Sequence, residues 1–496
     1  MLLHELMYRG KTGKKVFAGK HNVTYGELQE QVRRYAAFLY GQGLRPGDRV
    51  GLLAKNSPEF VYTYLAVVSL RAVVVPLNFM LVAPEIAYIV QDAGMKTLVT
   101  MGRFELAEAL AVYGYAEPQQ LVIPEFAAAV AALPAEAPDV GPAGENEVCA
   151  TIYTSGTTGK PKGAMLSHRN IVSNVLSFTQ KLPVREDDVV LCVLPMYHGF
   201  SWTCPVLGSL LQGATIVIAD TFSKEIVATI RDNKVTIAYA ITAMYSLLLH
   251  WATPEDFASV TLFASGGASL PEALLFAFQK KFGCNIYEGY GLSEASPAVT
   301  FNPPERIKAG SIGLPLPGIA VKVVDERGNE VPTGTCGELW VSGPNVMQGY
   351  HNKPEETART ITDGWLHTGD IACRDEDGYI FIKDRLKDMI IISGENVYPR
   401  EVEELLCAYS GIAEAAVIGI DHKVRGQTVA AALVMKEGAA LDAKELRRFL
   451  LKNLAAFKVP KLVATVPALP KNSLGKVLKP ALRQQAREIF TPDFLN

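Results

Sequence analysis

The residues best equipped for chemistry stand together in Thr154-Ser-Gly-Thr-Thr-Gly-Lys-Pro-Lys-Gly163, directly after the apolar run 148–153. Gly156 and Gly159 let the backbone come close to an anion. The hydroxyls of Thr154, Ser155, Thr157 and Thr158 and the ammonium of Lys160 supply donors and positive charge. Such a set suits a polyphosphate. It is not the Gly-x-x-x-x-Gly-Lys-Ser/Thr loop that runs into a helix and holds magnesium. Only two residues separate Gly156 from Gly159, and Pro161 removes a donor and turns Lys160 away from helical angles, so no helix can start there.

No other cluster of chemical side chains competes with this loop. The eight histidines form no His-x-His or His-x-x-x-His pair, so no histidine metal site is expected. The seven cysteines are odd in number and contain no Cys-x-x-Cys; neither a disulfide framework nor a zinc knuckle is expected, and a reducing compartment fits. Lys+Arg of 48 against Asp+Glu of 51 gives a net charge of -3, which argues against a nucleic-acid binder.

The elements that must position the loop read as an α/β body. Short, nearly continuous apolar runs at 72–77, 97–100, 148–153, 189–194, 215–219 and 260–264 imply strands covered on both faces, as parallel strands between helix layers are. Segments such as 25–40 and 225–234 have helical spacing between them. The most apolar stretch, 61–82, is broken by Arg71, Pro76 and Asn78, so it reads as buried helix and strand rather than a membrane span. Glu5 and Arg9 interrupt the apolar core that a signal peptide would need, and a cytoplasmic protein is expected. After about residue 310 alternating strands separated by turns predict a smaller antiparallel sheet or distorted barrel. The charged hexapeptide 383–388 separates it from a compact α+β run of about 110 residues, which begins with an amphipathic helix carrying Pro399 in its first turn. The expected division is 1–384, a hinge at 385–387, and 388–496.

The loop 154–163 resembles the signature of the acyl-adenylate-forming enzymes, the superfamily of acyl-CoA synthetases and peptide-synthetase adenylation domains. Further segments resemble the family's successive motifs in the right order: Pro195-Met-Tyr-His198, Ser265-Gly-Gly-Ala268, Tyr290-Gly-Leu-Ser-Glu294, Gly364-Trp-Leu-His-Thr-Gly-Asp370, Asp384-Arg-Leu-Lys387, Ser393-Gly-Glu-Asn396, Phe457-Lys-Val-Pro460 and Asn472-Ser-Leu-Gly-Lys476. Thr24-Tyr-Gly-Glu-Leu28 extends the likeness towards the N-terminus. The resemblance implies a large AMP-binding domain of stacked, mostly parallel sheets with a distorted barrel, followed by a small mobile C-terminal domain.

It also implies roles. An acid must be joined to AMP before a thiol can displace it, and two anions at 4 Å repel by roughly 4 kcal/mol per charge pair at an effective dielectric of 20. The site therefore needs cations, a magnesium carboxylate and a nucleotide clamp. By resemblance Lys476 reaches the carboxylate and α-phosphate, Glu294 holds magnesium with help from Thr154, and His198 belongs to the catalytic set. Residues 154–160, Gly266, Gly267, Ala268, Glu288, Gly289, Tyr290, Gly291 and Ser293 would line the nucleotide site, with Tyr290 against adenine. Asp370 would take the ribose hydroxyls, and Arg385 and Lys387 would lie close to the ribose and phosphates. By the same resemblance Lys387 would be the pivot about which the small domain turns for the second half-reaction, and Gly394 would lie beside the pantetheine of CoA. Asp384 stands where many relatives have Gly.

His198, Trp202 and Gly267 are expected at the acyl pocket. The apolar surroundings of Trp202, and of residues 240–244 where relatives specific for amino acids carry an acid, favour a fatty or aryl acid. The leading expectation is an ATP- and Mg2+-dependent ligase joining medium- or long-chain fatty acids to CoA. The alternatives are an aryl (4-coumarate-type) CoA ligase and an acyl-AMP ligase that loads a carrier protein. A P-loop phosphotransferase is disfavoured by Pro161, and a non-catalytic binding protein by the presence of Lys476, Asp370 and Glu294. Partners would be the acid, ATP and CoA, with no nucleic acid and no integral membrane segment; a homodimer is compatible with this reading.

Overall fold

The computed structural model describes residues 1–154, 160–392, 395–422, 426–471 and 475–490. The chain forms two compact units: Met1–Val321 with Val341–His367, and Lys322–Trp340 with Thr368–Asn496. The expected pivot at 385–387 falls inside the second of these.

Two large sheets build the first unit. One runs in space from Leu314–Pro315 through Ala298–Phe301, Ile286–Gly291, Leu262–Ser265, Ile237–Ala240, Val189–Cys192, Thr215–Ile218 and Lys15–Ala18 to Val23–Thr24. Its inner pairs are parallel, and antiparallel partners are added at both edges. The other orders Gly349–Tyr350, Lys162–Ser167, Val148–Thr154, Val73–Pro76, Arg49–Leu53, Thr97–Thr100 and Gln119–Val122. It too is parallel from Val148–Thr154 onward and antiparallel at the Gly349 edge. The apolar runs are strands for the reason their sequence suggests: Val73–Pro76 and Leu262–Ser265 are buried at every position, because helices cover both faces.

Helix Pro58–Ser69 is buried from Phe60 to Val68, so it shows no polar face; together with strands from both sheets it forms one continuous core. Each fully buried Leu or Val there contributes about 1.5–3 kcal/mol. Helix Tyr25–Gly41 starts with a capping box, in which Thr24 Oγ1 accepts from Glu27 N and the Glu27 carboxylate accepts from Thr24 N at 2.7 Å. The family-like Thr24–Leu28 segment is therefore a helix start. Among the described residues no helix is long and apolar enough to cross a membrane.

A small curled antiparallel sheet is built on Cys336–Ser342, Trp365–Arg374 and Ile380–Arg385. Cys336 and Cys373 stand on neighbouring strands of it with Cα atoms 4.3 Å apart and form a disulfide. This corrects the expectation that the cysteines stay reduced. The pair is separated by 37 residues and is brought together by strand pairing, which cysteine spacing could not reveal.

A second five-stranded sheet follows, with Gly426–Met435 at its centre between Ile390–Ile392, Ile412–His422 and Leu462–Thr465. Alternation along this strand divides the core. Val429, Ala431 and Leu433 meet Val402, Leu406, Leu446 and Leu450 of helices Pro399–Ala408 and Ala443–Asn453. Ala430 and Ala432 meet Leu482, Ala486 and Phe490 on the other face.

Candidate active site

In the first unit the phosphate-loop segment joins two antiparallel strands. Val148–Thr154 pairs with Lys162–Ser167 in the register Thr154 to Lys162 and Tyr153 to Gly163. No helix follows Lys160, which bears out the argument from Pro161. Gly163 is required at its place, since a Cβ there would stand 2.7 Å from Thr151 Cγ2. Of the expected loop residues, Ser155, Gly156, Thr157, Thr158 and Gly159 lie outside the described residues. Lys160 lies 5.5 Å above the Tyr88 ring, whose hydroxyl donates to Pro161 O at 3.2 Å.

Strand Ile286–Gly291 brings in Glu288, Gly289, Tyr290 and Gly291, and a short helical turn Ser293–Ala295 carries Ser293 and Glu294. The glycines are there for space: a Cβ on Gly289 would stand 2.3 Å from the Phe301 ring, and one on Gly291 2.1 Å from Pro297 O. Half-buried Tyr290 packs at the margin of the main core. Glu288 is buried, and its Oε1 accepts from Leu270 N at 3.1 Å, tying the strand to the turn 266–270. In that turn Gly267 has φ +78°, a left-handed conformation that suits glycine, and Gly266 abuts the Phe200 ring. Glu288 thus supports the turn of Gly266, Gly267 and Ala268.

Glu294 meets the phosphate-loop hairpin. Its Oε1 accepts from Thr154 Oγ1 at 3.3 Å and from Tyr350 Oη at 2.9 Å. Among the described residues its Oε2 takes no hydrogen bond, and no cluster of three or more His, Cys, Asp or Glu could hold a metal. One carboxylate and one hydroxyl, both hard oxygen donors, fit a magnesium ion that arrives with nucleotide phosphates and keeps most of its shell from them and from water. Tyr350 carries no signal in the motif spacing. It arrives by pairing of Gly349–Tyr350 with Lys162–Ser167, in the register Tyr350 to Ala164.

His198 is partly exposed at its surface, yet its ring is enclosed by protein, and that burial pushes its pKa down to about 4. Its Nδ1 accepts from Phe200 N at 3.3 Å, which agrees with a neutral ring. His198 therefore offers a hydrogen bond rather than a positive charge near neutral pH.

A narrow, largely apolar cavity lies nearby, lined by Tyr64, Ile152, Met196, Tyr197, Trp202 and Pro297 among others. Trp202, one of the three expected acyl-pocket residues, is part of this wall; His198 and Gly267 are not. Its ring lies 4.1 Å from that of Tyr64 and 5.6 Å from that of Phe60, so it is both core and pocket wall. It opens a π-helical segment, Trp202–Leu207, that contains Pro205. Sequence periodicity does not distinguish this turn from an ordinary helix.

The second unit holds a cluster of its own. Asp370, on Trp365–Arg374, stands directly across the ladder from Arg385, on Ile380–Arg385, and Arg385 Nε lies 2.8 Å from Asp370 Oδ1. Asp370 N donates to Thr368 Oγ1 at 3.1 Å, and Gly369 N to Glu338 Oε1 at 3.0 Å, which fixes the strand end. Asp384, the residue that replaces Gly, accepts from Arg400 N at 2.7 Å at the start of helix Pro399–Ala408. Burial raises its pKa, with Lys479 opposing that shift.

Lys476 follows Gly475, which has φ +74°, and precedes Val477, which is bridged to Lys471. Its side chain still reaches solvent, but its ammonium has dense protein around it. Burial first, and then the Arg385 and Lys387 charges, push its pKa down to about 8, with Asp370 and Asp388 opposing them. Burial and Arg385 likewise lower the pKa of Lys387. Arg483 binds Asp388 at 2.8 Å. Four cations (Arg385, Lys387, Lys476, Arg483) thus face two carboxylates (Asp370, Asp388), which leaves the cluster a net positive charge suited to an anion. The structure brings Asp370, Arg385, Lys387 and Lys476 together across 106 positions, and Gly394 lies outside the described residues.

These two groups of residues stand on a fold of stacked, mostly parallel sheets followed in the chain by a small α+β unit. The AMP-binding enzyme family model matches residues 8–351, and that of the AMP-binding enzyme C-terminal domain residues 401–476. The chain belongs to this family and is an AMP-forming acid–thiol ligase that uses ATP, magnesium and CoA. It is 37% identical over 470 residues to a feruloyl-CoA synthase of Amycolatopsis sp, covering 93% of this chain and 94% of the relative. It is 34% identical over 514 residues to a long-chain-fatty-acid–CoA ligase of Bacillus subtilis (strain 168), covering 95% and 91%. ATP-bound MatB from Rhodopseudomonas palustris superposes with a TM-score of 0.92 at 33% identity, covering 98% of this chain and 99% of that one.

Proposed function

We propose that this ligase activates a carboxylic acid with an uncharged tail, a medium- or long-chain fatty acid, and transfers the acyl group to CoA. The observation that carries this reading is the cavity around Trp202, where no ionisable acid or base other than tyrosine lines the wall. A charged or amino-bearing tail would lie there without a partner, at a cost of several kcal/mol. An aryl acid is the second reading. The Tyr64 and Trp202 rings, tilted 32° to each other, and Tyr197 line the same wall and suit an aromatic ring, and the similarity to a feruloyl-CoA synthase supports it.

In this reading Lys476 holds the acid carboxylate and α-phosphate together while its proton is on. Thr154 and Glu294 hold the magnesium, which screens the phosphate charge when bound. Gly266, Gly267 and Ala268 border the nucleotide, and Tyr290 packs on adenine. Asp370 accepts the ribose hydroxyls, with Arg385 fixing its carboxylate. Neutral His198 donates a hydrogen bond at the mouth of the acyl site. Lys387 is the pivot for the thiol step, and Gly394 lines the path of pantetheine.

Pyrophosphate release measured across C4 to C18 fatty acids and cinnamic, benzoic and amino acids, with and without CoA, tests this reading. The highest kcat/KM is expected with fatty acids, and amino acids should be inert. A best substrate with a charged tail would refute it, and a preference for cinnamates would establish the second reading.

A further inference from the structure

Glu294 is half-buried, and a carboxylate in that position can hold a cation in a defined place only if its own orientation is fixed. Two donors meet it, and both meet the same oxygen: Tyr350 Oη at 2.9 Å and Thr154 Oγ1 at 3.3 Å on Oε1. Among the described residues Oε2 is left without a hydrogen bond. We propose that Tyr350 is a positioning residue that holds the Glu294 carboxylate by its phenol, so that Oε2 is presented to the magnesium of the nucleotide. This rests on the reading of Glu294 as the cation-holding carboxylate.

Everything around Tyr350 immobilises that phenol. The ring is almost fully buried, and its residue is paired with Ala164 on the hairpin that carries the phosphate loop. Its N–H donates to Thr357 Oγ1 at 2.8 Å, Thr357 in turn donates to Lys353 O, and the following residue, His351, donates its N–H to Gly163 O at 2.8 Å. Met347 N donates to Glu294 O at 2.8 Å, so the segment leading to Tyr350 also fixes the glutamate's backbone. The second lysine of the loop motif, Lys162, lies 5.4 Å from the Tyr350 ring centroid and forms an ion pair with Glu356 of helix Pro354–Thr360. A cation over the ring face strengthens the hydroxyl as a donor.

The shorter of the two hydrogen bonds is the one a Tyr350→Phe change removes, and the ring's packing is kept. The full-length protein is titrated with Mn2+ in the presence of α,β-methylene ATP, and free Mn2+ is read by electron paramagnetic resonance. Binding of the same nucleotide is measured separately in EDTA. Y350F is expected to bind Mn2+ about tenfold more weakly while its metal-free nucleotide affinity stays within about twofold of wild type. E294Q should lose most of the metal affinity. Wild-type Mn2+ affinity in Y350F, with E294Q impaired, overturns the positioning role alone. An equal loss of metal-free nucleotide binding in Y350F also overturns it, because the residue would then be a general support of the loop. Undiminished Mn2+ affinity in E294Q overturns the Glu294 assignment itself.

Discussion

The depressed pKa of Lys476 makes the first half-reaction sensitive to alkali in a way that one substitution should move. In the proposed mechanism Lys476 acts with its proton on, so adenylation should run at full rate well below its pKa and be lost as pH rises through about 8. Burial is the first cause and the Arg385 guanidinium the second. Arg385→Gln leaves the burial but removes the like charge. A unit charge in contact range moves a pKa by about one to three pH units, and both side chains meet solvent, so the lower end applies. The alkaline limb of kcat/KM for pyrophosphate release should therefore rise from about pH 8 to about pH 9 in R385Q, whatever the loss in absolute rate. The assay is initial pyrophosphate release between pH 6 and 10.5, with the acid and ATP each subsaturating in turn. Lys476→Arg is the control: a guanidinium does not titrate in this range, so the limb should vanish from whatever activity remains. A limb that stays near pH 8 in R385Q, or one that survives in K476R, would refute the reasoning, because another group would then be titrating.

Lys387→Pro, in the short helical turn Leu386–Asp388, should preserve acyl-AMP formation in a hydroxamate assay and abolish acyl-CoA formation; equal loss of both rules out the pivot. Trp202→Ala removes a side chain that is 4% exposed and packed on Tyr64 and Phe60, and should cost about 3–5 kcal/mol in urea unfolding. The same variant should shift the ratio of kcat/KM values towards longer or bulkier acids, and an unchanged ratio would remove Trp202 from the pocket wall. Closing a loop of 37 residues, the Cys336–Cys373 bridge should stabilise the chain by about 3–4 kcal/mol. Reductant and Cys373→Ser should lower the melting temperature equally, and reductant should do nothing further to the variant.

Much of the scaffold could be read from the chain because parallel strands announce themselves. The run 97–100 is a strand over those four residues, and 148–153 is extended by one residue to Thr154. Residues 98–100 and 149–151 are the fully buried parts of these runs. Helix 25–40 was equally plain, since Thr24 and Glu27 write its start into local sequence. The antiparallel edges were less legible. Gly349–Tyr350 is two residues long and has no period of its own; it is a strand only because Lys162–Ser167 offers an open edge. The disulfide was misjudged for the same reason, since residues on adjacent strands meet through the ladder and not through spacing.

The same distinction separates the site residues that sequence could find from those it could not. Glu294 after Ser293 and Lys476 after Gly475 are singled out by the likeness of their segments to family motifs; by residue type alone Lys476 is one cation among Lys471, Lys479 and Arg483. How other groups tune or aim them is not written in those segments. Tyr350, which no motif marked, sits 56 positions from the carboxylate it holds; Arg385 stands in a motif-like segment, but its effect on a lysine 91 positions away is not written in that segment. The segment around Tyr350 has no unusual composition. What makes each effective is a cross-strand partner, Ala164 for Tyr350 and Asp370 for Arg385, and register of that kind depends on the whole sheet. A substitution in a strand neighbour that slips either register should therefore disturb metal affinity or the alkaline limb without touching any motif residue. Ala164→Pro is one such change. Proline has no N–H for the ladder, so it should weaken Mn2+ binding as Y350F does, while the residues of the motifs themselves remain intact.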